Sequence, residues 1–327
     1  MNKEFDYIVI GAGIAGCCLA YFLSKYSKSI LLIDRNSQVA FGASGAAGAF
    51  LSPLLGKPND FKDLVTKSLI FSTNFYKNLG EELVSNCGVC RIPKNEEDRD
   101  KFESYKPYMD FKYTQMDDGY FFEIGSQVTP SLICEKLTKD IEKKLSYNVI
   151  KLEQNENSTW IINDEICAKN IILTTGADVK HIKEEYFDIR GVWGQKIDVS
   201  TTTETKINYH KECSVSKASK IEGSDLYKVS IGATHHKFNC DKNICNYCIE
   251  TANINDCSKC YNNSIVNSDS AKLIALANDI IKLENVEVID VKIGARASSN
   301  DYFPMIGKLV DSKKSIEKFP HLLNGTH

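Results

Sequence analysis

Tyr7-Ile8-Val9-Ile10-Gly11-Ala12-Gly13-Ile14-Ala15-Gly16 runs an apolar strand straight into a GxGxxG turn, the feature that most constrains how this chain folds. Gly11 permits the tight strand-to-helix turn, Gly13 lets the backbone approach a pyrophosphate, and Gly16 lets the following helix pack closely on the sheet. The spacing predicts a helix from Cys17 to Lys25, whose N-terminal dipole would carry the phosphates. A second apolar strand, Ser29-Ile30-Leu31-Leu32-Ile33, ends on Asp34, eighteen residues past Gly16. A carboxylate there accepts hydrogen bonds from ribose hydroxyls and repels a 2′-phosphate, which disfavours NADP. Gly11, Gly13, Ile14, Ala15, Gly16, Asp34 and Arg35 are the candidate cofactor contacts of this unit.

The chain has 327 residues, 43% hydrophobic and 25% charged, enough for two domains with real cores. Net charge is only −3, so no global field draws in nucleic acid or an anionic membrane, and no DNA partner is expected. The apolar N-terminus is broken by three glycines, and no cleavage site follows a basic leader. No other stretch reaches the roughly 18 to 20 apolar residues of a membrane span. A cytoplasmic protein is expected.

Past the first βαβ unit, Phe41-Gly42-Ala43-Ser44-Gly45-Ala46-Ala47-Gly48-Ala49-Phe50 is too rich in small residues for a packed strand or an amphipathic helix, so something bulky must press on its backbone. Leu64, Leu69, Phe71, Phe75 and Leu79 give Phe61 to Leu83 an apolar helical face. Glu96 to Asp118, charged and aromatic, reads as a surface excursion. Pro130 opens a helix through Leu145; Tyr147 to Leu152, Thr159 to Ile162 and Asn170 to Ala177 read as strands. Strands at Gln195 to Val199 and Tyr227 to Ile231, a helix from Asp269 to Leu283 and a strand from Val286 to Ile293 follow. No internal repeat is evident.

These pieces resemble the D-amino-acid oxidase superfamily of FAD-dependent amine oxidoreductases, over most of the chain. Gly11, Gly13 and Gly16 match its pyrophosphate turn, and Asp34 stands where the family more often has Glu. The Gly42 to Gly48 segment, with Ala43, Ser44 and Gly45, looks like its second flavin-contacting loop. Leu173 to Ala177, with Thr175 and Gly176, looks like a third contact, and Val149 like the residue whose backbone meets the adenine. Gly294-Ala295-Arg296 through Pro304-Met305-Ile306-Gly307 resembles the Arg-containing motif that ends in Pro-x-Ile-Gly. By that match Arg296 grips a substrate carboxylate; independently, a guanidinium offers a rigid bidentate fork for one.

The resemblance implies an α/β fold: a Rossmann-like FAD-binding domain of residues 1–85, 125–190 and 285–327, and a discontinuous, largely antiparallel β substrate domain (α+β) of residues 86–124 and 191–284. Members continue past Pro-x-Ile-Gly into a further strand and a glycine-rich turn, so the chain is expected to be C-terminally incomplete. Ser44-Gly45, Gly48 to Leu54 and Asp301 to Gly307 look most like the oxidoreductase half of the bifunctional tRNA 5-methylaminomethyl-2-thiouridine biosynthesis protein. That half removes a carboxymethyl group from a wobble-uridine side chain, which implies FAD as cofactor and tRNA as partner.

Among the twelve cysteines two groups stand out. Cys17, Cys18, Cys134 and Cys167 are scattered in apolar surroundings as packing residues. Cys245, Cys248, Cys257 and Cys260 form CxxC, eight residues, CxxC, with Cys240, His235 and His236 as spare ligands. The set predicts a closed structural zinc site within a Cys-rich insertion at 240–260, with an iron–sulfur cluster or two disulfides as alternatives. Cys87 and Cys90 make a further CxxC without a sequence partner, read as structural.

The leading expectation is therefore an enzyme, an FAD-dependent oxidoreductase that transfers a hydride equivalent from the carbon beside an amine nitrogen. Its substrate is a small carboxylate-bearing amine or the modified uridine of tRNA. The first alternative is an oxidase or dehydrogenase of free glycine, sarcosine or D-amino acids; the second is a non-catalytic zinc-containing nucleotide-binding module. His235, His236, Trp193, Gln195 and Tyr209 are further candidates for the cavity wall.

Overall fold

The computed structural model describes residues 4–116, 118–182, 184, 187, 189–237 and 263–320. A six-stranded sheet is centred on β1 (Glu4–Ile10), which pairs in parallel with β2 (Ile30–Ile33) on one side and β12 (Ile166–Leu173) on the other. β9 (Glu142–Lys144) extends it in parallel beyond β2. β10 (Leu152–Gln154) and β11 (Trp160–Ile162) close the opposite edge as an antiparallel pair on β12. β1 and β2 are nearly continuous apolar runs because both faces are covered. Ile8, Leu32 and Ile33 are completely buried, each stabilising the fold by about 1.5–3 kcal/mol at most.

Helix α1 (Ile14–Leu23) starts three residues before the sequence expectation and ends at Leu23, because Gly13 already adopts the extended N-cap conformation. Its buried side is small, made of Gly16, Cys17 and Ala20, so it sits close against the sheet and against α5 (Pro130–Leu137). The expected helix through Leu145 stops early. Thr138 Oγ1 donates back to the Cys134 carbonyl at 2.8 Å, and Glu142–Lys144 is captured as a strand by β2, a partner that lies far away in sequence. Residues 145–151, expected partly as a strand, are a connecting loop.

The second sheet has nine strands. Its main path runs β18 (Glu287–Ser298), β13 (Arg190–Thr201), β17 (Tyr227–Gly232), β15 (Ser214–Val215), β14 (Asn208–His210), β5 (Val89–Arg91), β7 (Gly119–Phe122) and β6 (Thr114–Met116). β16 (Ser219–Lys220) pairs on β17, and all these pairings are antiparallel except β14 with β5. A small third sheet joins β3 (Phe50–Leu51), β8 (Ser126–Val128) and β4 (Val84–Ser85). One face of the large sheet buries Ile197, Val199, Val215, Val229 and Ile231 against α6 (Asn263–Asn278), which begins six residues before the expected Asp269.

Two further expectations are corrected. Helix α3 (Asp60–Leu79) buries Lys62, Leu69 and Thr73, while Leu64 and Phe71 are exposed; the inward stripe runs beside the apolar one, and Lys62 is held by Asp110 at 2.8 Å. The Glu96 to Asp118 stretch is not a bare excursion. It forms α4 (Glu96–Tyr105), whose Phe102 packs with Val89, Tyr120 and Phe122 in a separate aromatic core. Cys17 and Cys134 are buried in the core, as packing residues should be, whereas Cys18 and Cys167 are half-buried. Among the described residues no helix is long and apolar enough to cross a membrane.

Candidate functional site

A cavity of about 650 Å³ opens where the C-terminal ends of β1, β2 and β12 meet the edge of the large sheet. Ligands of open parallel sheets bind at this end of the strands. Gly11, Gly13, Ile14, Ala15, Asp34, Arg35, Ala43, Ser44, Val149, Thr175 and Gly176, all expected from sequence, line this one cavity. Gly16 and Gly45 lie behind its wall. A Cβ on Gly16 would stand 1.9 Å from the Gly11 carbonyl oxygen, and one on Gly45 2.1 Å from that of Ala40, so both are packing glycines.

The turn itself is tightly specified. Gly11 has φ +108°, and a Cβ there would lie 2.4 Å from the Thr174 carbonyl oxygen. Asp34 Oδ2 accepts the Ala12 amide at 2.6 Å, while Oδ1 accepts the Asn36 amide at 2.8 Å and its side-chain Nδ2 at 2.9 Å. The shorter acid therefore braces the turn from below, and Oδ2, with a single donor, keeps one lone pair for a hydroxyl. Gly13 caps α1 without a side-chain acceptor, and Ser44 Oγ accepts the Ile14 amide at 2.9 Å.

The small-residue segment is a short helix, α2 (Ala43–Ala46). What presses on it is backbone: a Cβ on Gly294 of β18 would lie 2.8 Å from Ala43 Cα and 3.0 Å from the Ala46 methyl. This close approach brings the first βαβ unit and the edge of the large sheet to one cavity, whose far wall includes Ile293, Gly294, Ala295 and Trp193. A glycine-lined cradle, a helix start whose own N-cap is a glycine and a carboxylate at the end of β2 suit a dinucleotide such as FAD, and the volume falls within the roughly 300–1,000 Å³ of ligand clefts.

Arg296 does not line that cavity. It lies two residues beyond Gly294, on the same face of β18, and its guanidinium reaches back across β13. Nη2 donates to the Thr234 carbonyl at 3.1 Å, and Nη1 lies 2.9 Å from His235 Nε2. Gly194 makes this possible, since a Cβ there would meet Nη2 at 2.8 Å. With the guanidinium as donor, Nε2 of His235 is the acceptor, and partial burial together with Arg296 lowers its pKa. Partial burial also lowers that of Arg296.

His236 is structural. Its Nε2 pairs with Asp269 Oδ2 at 2.8 Å, Thr234 Oγ1 donates to the same oxygen at 2.9 Å, and its backbone bridges Trp193. This clamp ties α6 to the segment that carries His235. Of the other wall candidates, Trp193 lines the cavity, but Gln195 turns to α6, donating to the Val266 carbonyl at 3.0 Å and to Ser270 Oγ at 2.7 Å. Tyr209 packs with the core beneath α6. Sequence reasoning missed Phe41, Tyr147, Asn148, Asp178, Lys180 and His181, which complete the cavity. None belongs to a motif; His181 enters through a contact with the Val149 carbonyl at 3.1 Å and Asp178 through an ion pair with Arg35 at 3.1 Å.

The cysteines of the expected zinc site, Cys245, Cys248, Cys257 and Cys260, with Cys240, lie outside the described residues. Among the described residues no cluster of three or more His, Cys, Asp or Glu is arranged to hold a metal.

A parallel βαβ turn, a glycine cradle and an antiparallel sheet meeting it at one cavity define a two-part flavoprotein-type oxidoreductase fold. The chain belongs to the DAO family of FAD-dependent oxidoreductases, whose profile matches residues 6–326. It is 21% identical, over its whole length and 50% of the relative's, to the tRNA 5-methylaminomethyl-2-thiouridine biosynthesis bifunctional protein MnmC of Campylobacter fetus. Identity to the protein of that name in Campylobacter jejuni is 24%, over 98% of this chain and 49% of the relative. The chain thus spans about half the length of the curated relatives it matches. Its fold is that of glycine oxidase from Geobacillus kaustophilus (TM-score 0.70, 12% identity, 95% of this chain and 87% of that one). It is likewise that of L-alpha-glycerophosphate oxidase from Mycoplasma pneumoniae with FAD bound (TM-score 0.67, 15% identity, 91% and 84%).

Proposed function

We propose that this chain oxidises the carbon–nitrogen bond of a carboxylate-bearing amine, and that the amine is the carboxymethylaminomethyl group of a tRNA wobble uridine. The observation that carries the reading is the Arg296 guanidinium, fixed by Thr234 and His235 beside the cavity wall at Gly294 and without a carboxylate partner among the described residues. The resemblance to MnmC proteins over the full chain supports the choice of amine.

Gly11, Gly13, Ile14, Ala15, Ser44 and Thr175 would hold the FAD pyrophosphate and ribityl region, with Asp34 at the ribose and the Val149 backbone at the adenine. Bound FAD accepts two electrons and a proton equivalent as hydride from the carbon next to nitrogen. Arg296 orients the substrate by its carboxylate, which places the adjacent methylene toward the cavity and lets remote binding energy serve positioning. His235, whose pKa is lowered by burial and by its guanidinium neighbour, accepts from Arg296 and holds the fork in place. Loss of hydride from the methylene gives an imine, and addition of water splits it into the shortened amine and a two-carbon aldehyde acid. FAD held by these residues would pass the two electrons on to an acceptor such as oxygen or a quinone.

Anaerobic mixing of the FAD-loaded protein with substrate tests this. Bleaching of the flavin absorbance by carboxymethylaminomethyl-uridine tRNA, with none by glycine, sarcosine, proline or D-alanine, is the expected result. Turnover of those free amino acids instead assigns the chain to an amino-acid oxidase.

A further inference from the structure

A single cross-strand row traverses the large sheet: Arg91 on β5 is in register with His210 on β14, His210 with Ser214 on β15, Ser214 with Gly232 on β17, and Gly232 with Lys196 on β13. Partners in register share a face. Lys196 in turn opposes Lys292 on β18, four residues from Arg296, so Arg91 and His210 lie on the face from which the Arg296 guanidinium projects.

The charges along this row are unevenly matched. Lys196 is paired with Asp198 at 3.0 Å. Arg91 has only neutral partners: Nη1 donates to Ser52 Oγ at 3.2 Å and to the Pro53 carbonyl at 2.9 Å, and Nε is buried without an acceptor. Among the described residues no carboxylate lies within ion-pair distance of it. Beside it, His210 Nδ1 is engaged by Ser214 Oγ at 2.7 Å, leaving Nε2 as the ring's other hydrogen-bonding atom. Burial pulls the Arg91 pKa down to about 10. Burial together with the positive charges of Arg91, Lys94 and His235 pulls that of His210 down to about 3. Only His210 registers the surrounding positive charge; at Arg91 the lowering comes from burial, which the Asp98 carboxylate opposes from beyond ion-pair distance. A buried guanidinium without a counter-charge is costly unless an anion completes it.

We propose that Arg91 and His210 form a second oxyanion subsite, and that it takes a phosphate of the nucleotide whose side-chain carboxylate sits on Arg296. The inference rests on the amine reading above and extends it to the substrate's backbone. The span supports a nucleotide. Arg296 reaches to Thr234, just past the end of β17, and β17 is separated from β5 by three strand spacings, roughly 14 Å of sheet. A free amino acid is too short to bridge that gap, whereas a nucleotide with a substituted base carries anions at both ends. Guanidinium suits the planar, bidentate recognition of phosphate.

Equilibrium titration of the FAD-loaded protein with uridine and with uridine 3′,5′-bisphosphate reads the subsite without turnover. The bisphosphate is expected to bind at least about tenfold more tightly, the scale of one charge-assisted pair. Arg91→Met should erase that gain with uridine affinity unchanged, and Arg91→Lys should keep part of it. Should Arg91→Met not fold, His210→Gln must reduce the same gain. Equal affinities in the unmodified protein, or a gain that survives both substitutions, overturn the proposal. So does an Arg91-dependent gain for a tricarboxylic amine, N-carboxymethylglutamate, with none for the bisphosphate. Flavin that stays unbleached with carboxymethylamines while the Arg91-dependent phosphate gain persists removes the amine reading and leaves the subsite standing.

Discussion

Ser44 Oγ accepts the backbone amide of Ile14 at 2.9 Å, so the first turn of α1 is joined to α2 by one hydrogen bond at the cavity floor. Both residues line the cavity, and the bond holds the amide-bearing turn against the segment that Gly294 packs on. Removing the hydroxyl leaves an amide without its partner, worth about 0.5–1.5 kcal/mol. Ser44→Ala should therefore weaken FAD binding roughly two- to tenfold. Fluorescence titration of apoprotein with FAD measures it, and an unchanged Kd separates Ser44 from the cofactor.

Three glycines at the cavity make a graded series. Gly11→Ala forces a Cβ to within 2.4 Å of the Thr174 carbonyl oxygen at φ +108° and should cost at least about 2 kcal/mol and abolish FAD binding. Gly176 has φ +63° but open space around it, so Gly176→Ala should cost only about 1 kcal/mol. Gly42, with neither constraint, should tolerate alanine. Urea unfolding of the three variants gives the order, and a Gly11→Ala protein as stable as Gly42→Ala contradicts the geometry.

Arg296 differs from lysine in what it can hold at once, since its two terminal nitrogens meet Thr234 and His235 and each carries a second N–H for a further acceptor. Arg296→Lys retains the charge and loses the bidentate fork; Arg296→Met loses both. We expect kcat/KM for a carboxymethylamine to fall about 10- to 150-fold in the methionine variant, with the lysine variant between. The decrease should appear chiefly in KM, and an amine lacking the carboxylate should be indifferent to the change.

Acid should destabilise the fold through His210. Its folded pKa of about 3 lies below the ordinary 6.5, so the unfolded chain binds the extra proton first. The stability this group confers is complete above about pH 6.5 and is lost as the pH falls toward 3, at up to about 1.4 kcal/mol per pH unit. Urea midpoints measured between pH 7 and 4 should decline less steeply for His210→Gln than for the unmodified protein. Parallel profiles would mean that the ring is not shielded as the geometry shows.

The first βαβ unit was readable because its signals are local. Glycine spacing, an apolar run of strand length and a terminal acid each act within a few residues, and six of this unit's seven expected contacts line one cavity. Gly16 was legible as a packing glycine, but Gly45 was not, since the Ala40 carbonyl it accommodates is placed by the folded turn. Glu142–Lys144 resembles the end of a helix by periodicity, and only pairing with β2 makes it a strand. The aromatic core around Phe102 was likewise hidden, because its members come from β5, α4 and β7 and no single segment shows an apolar face.

By itself the sequence determined a dinucleotide turn and its terminal acid, consequences of backbone conformation and spacing, and, through resemblance to a known family, an arginine within a motif. The tertiary structure alone decided where that arginine reaches, through the space over Gly194, and which cations share its face. Cross-strand register joins Arg91 to His210 and Lys196 across more than a hundred residues of chain, a relation that no periodicity encodes. Charge balance is a property of that assembled face, because an ion pair depends on distance in space and not on separation along the chain.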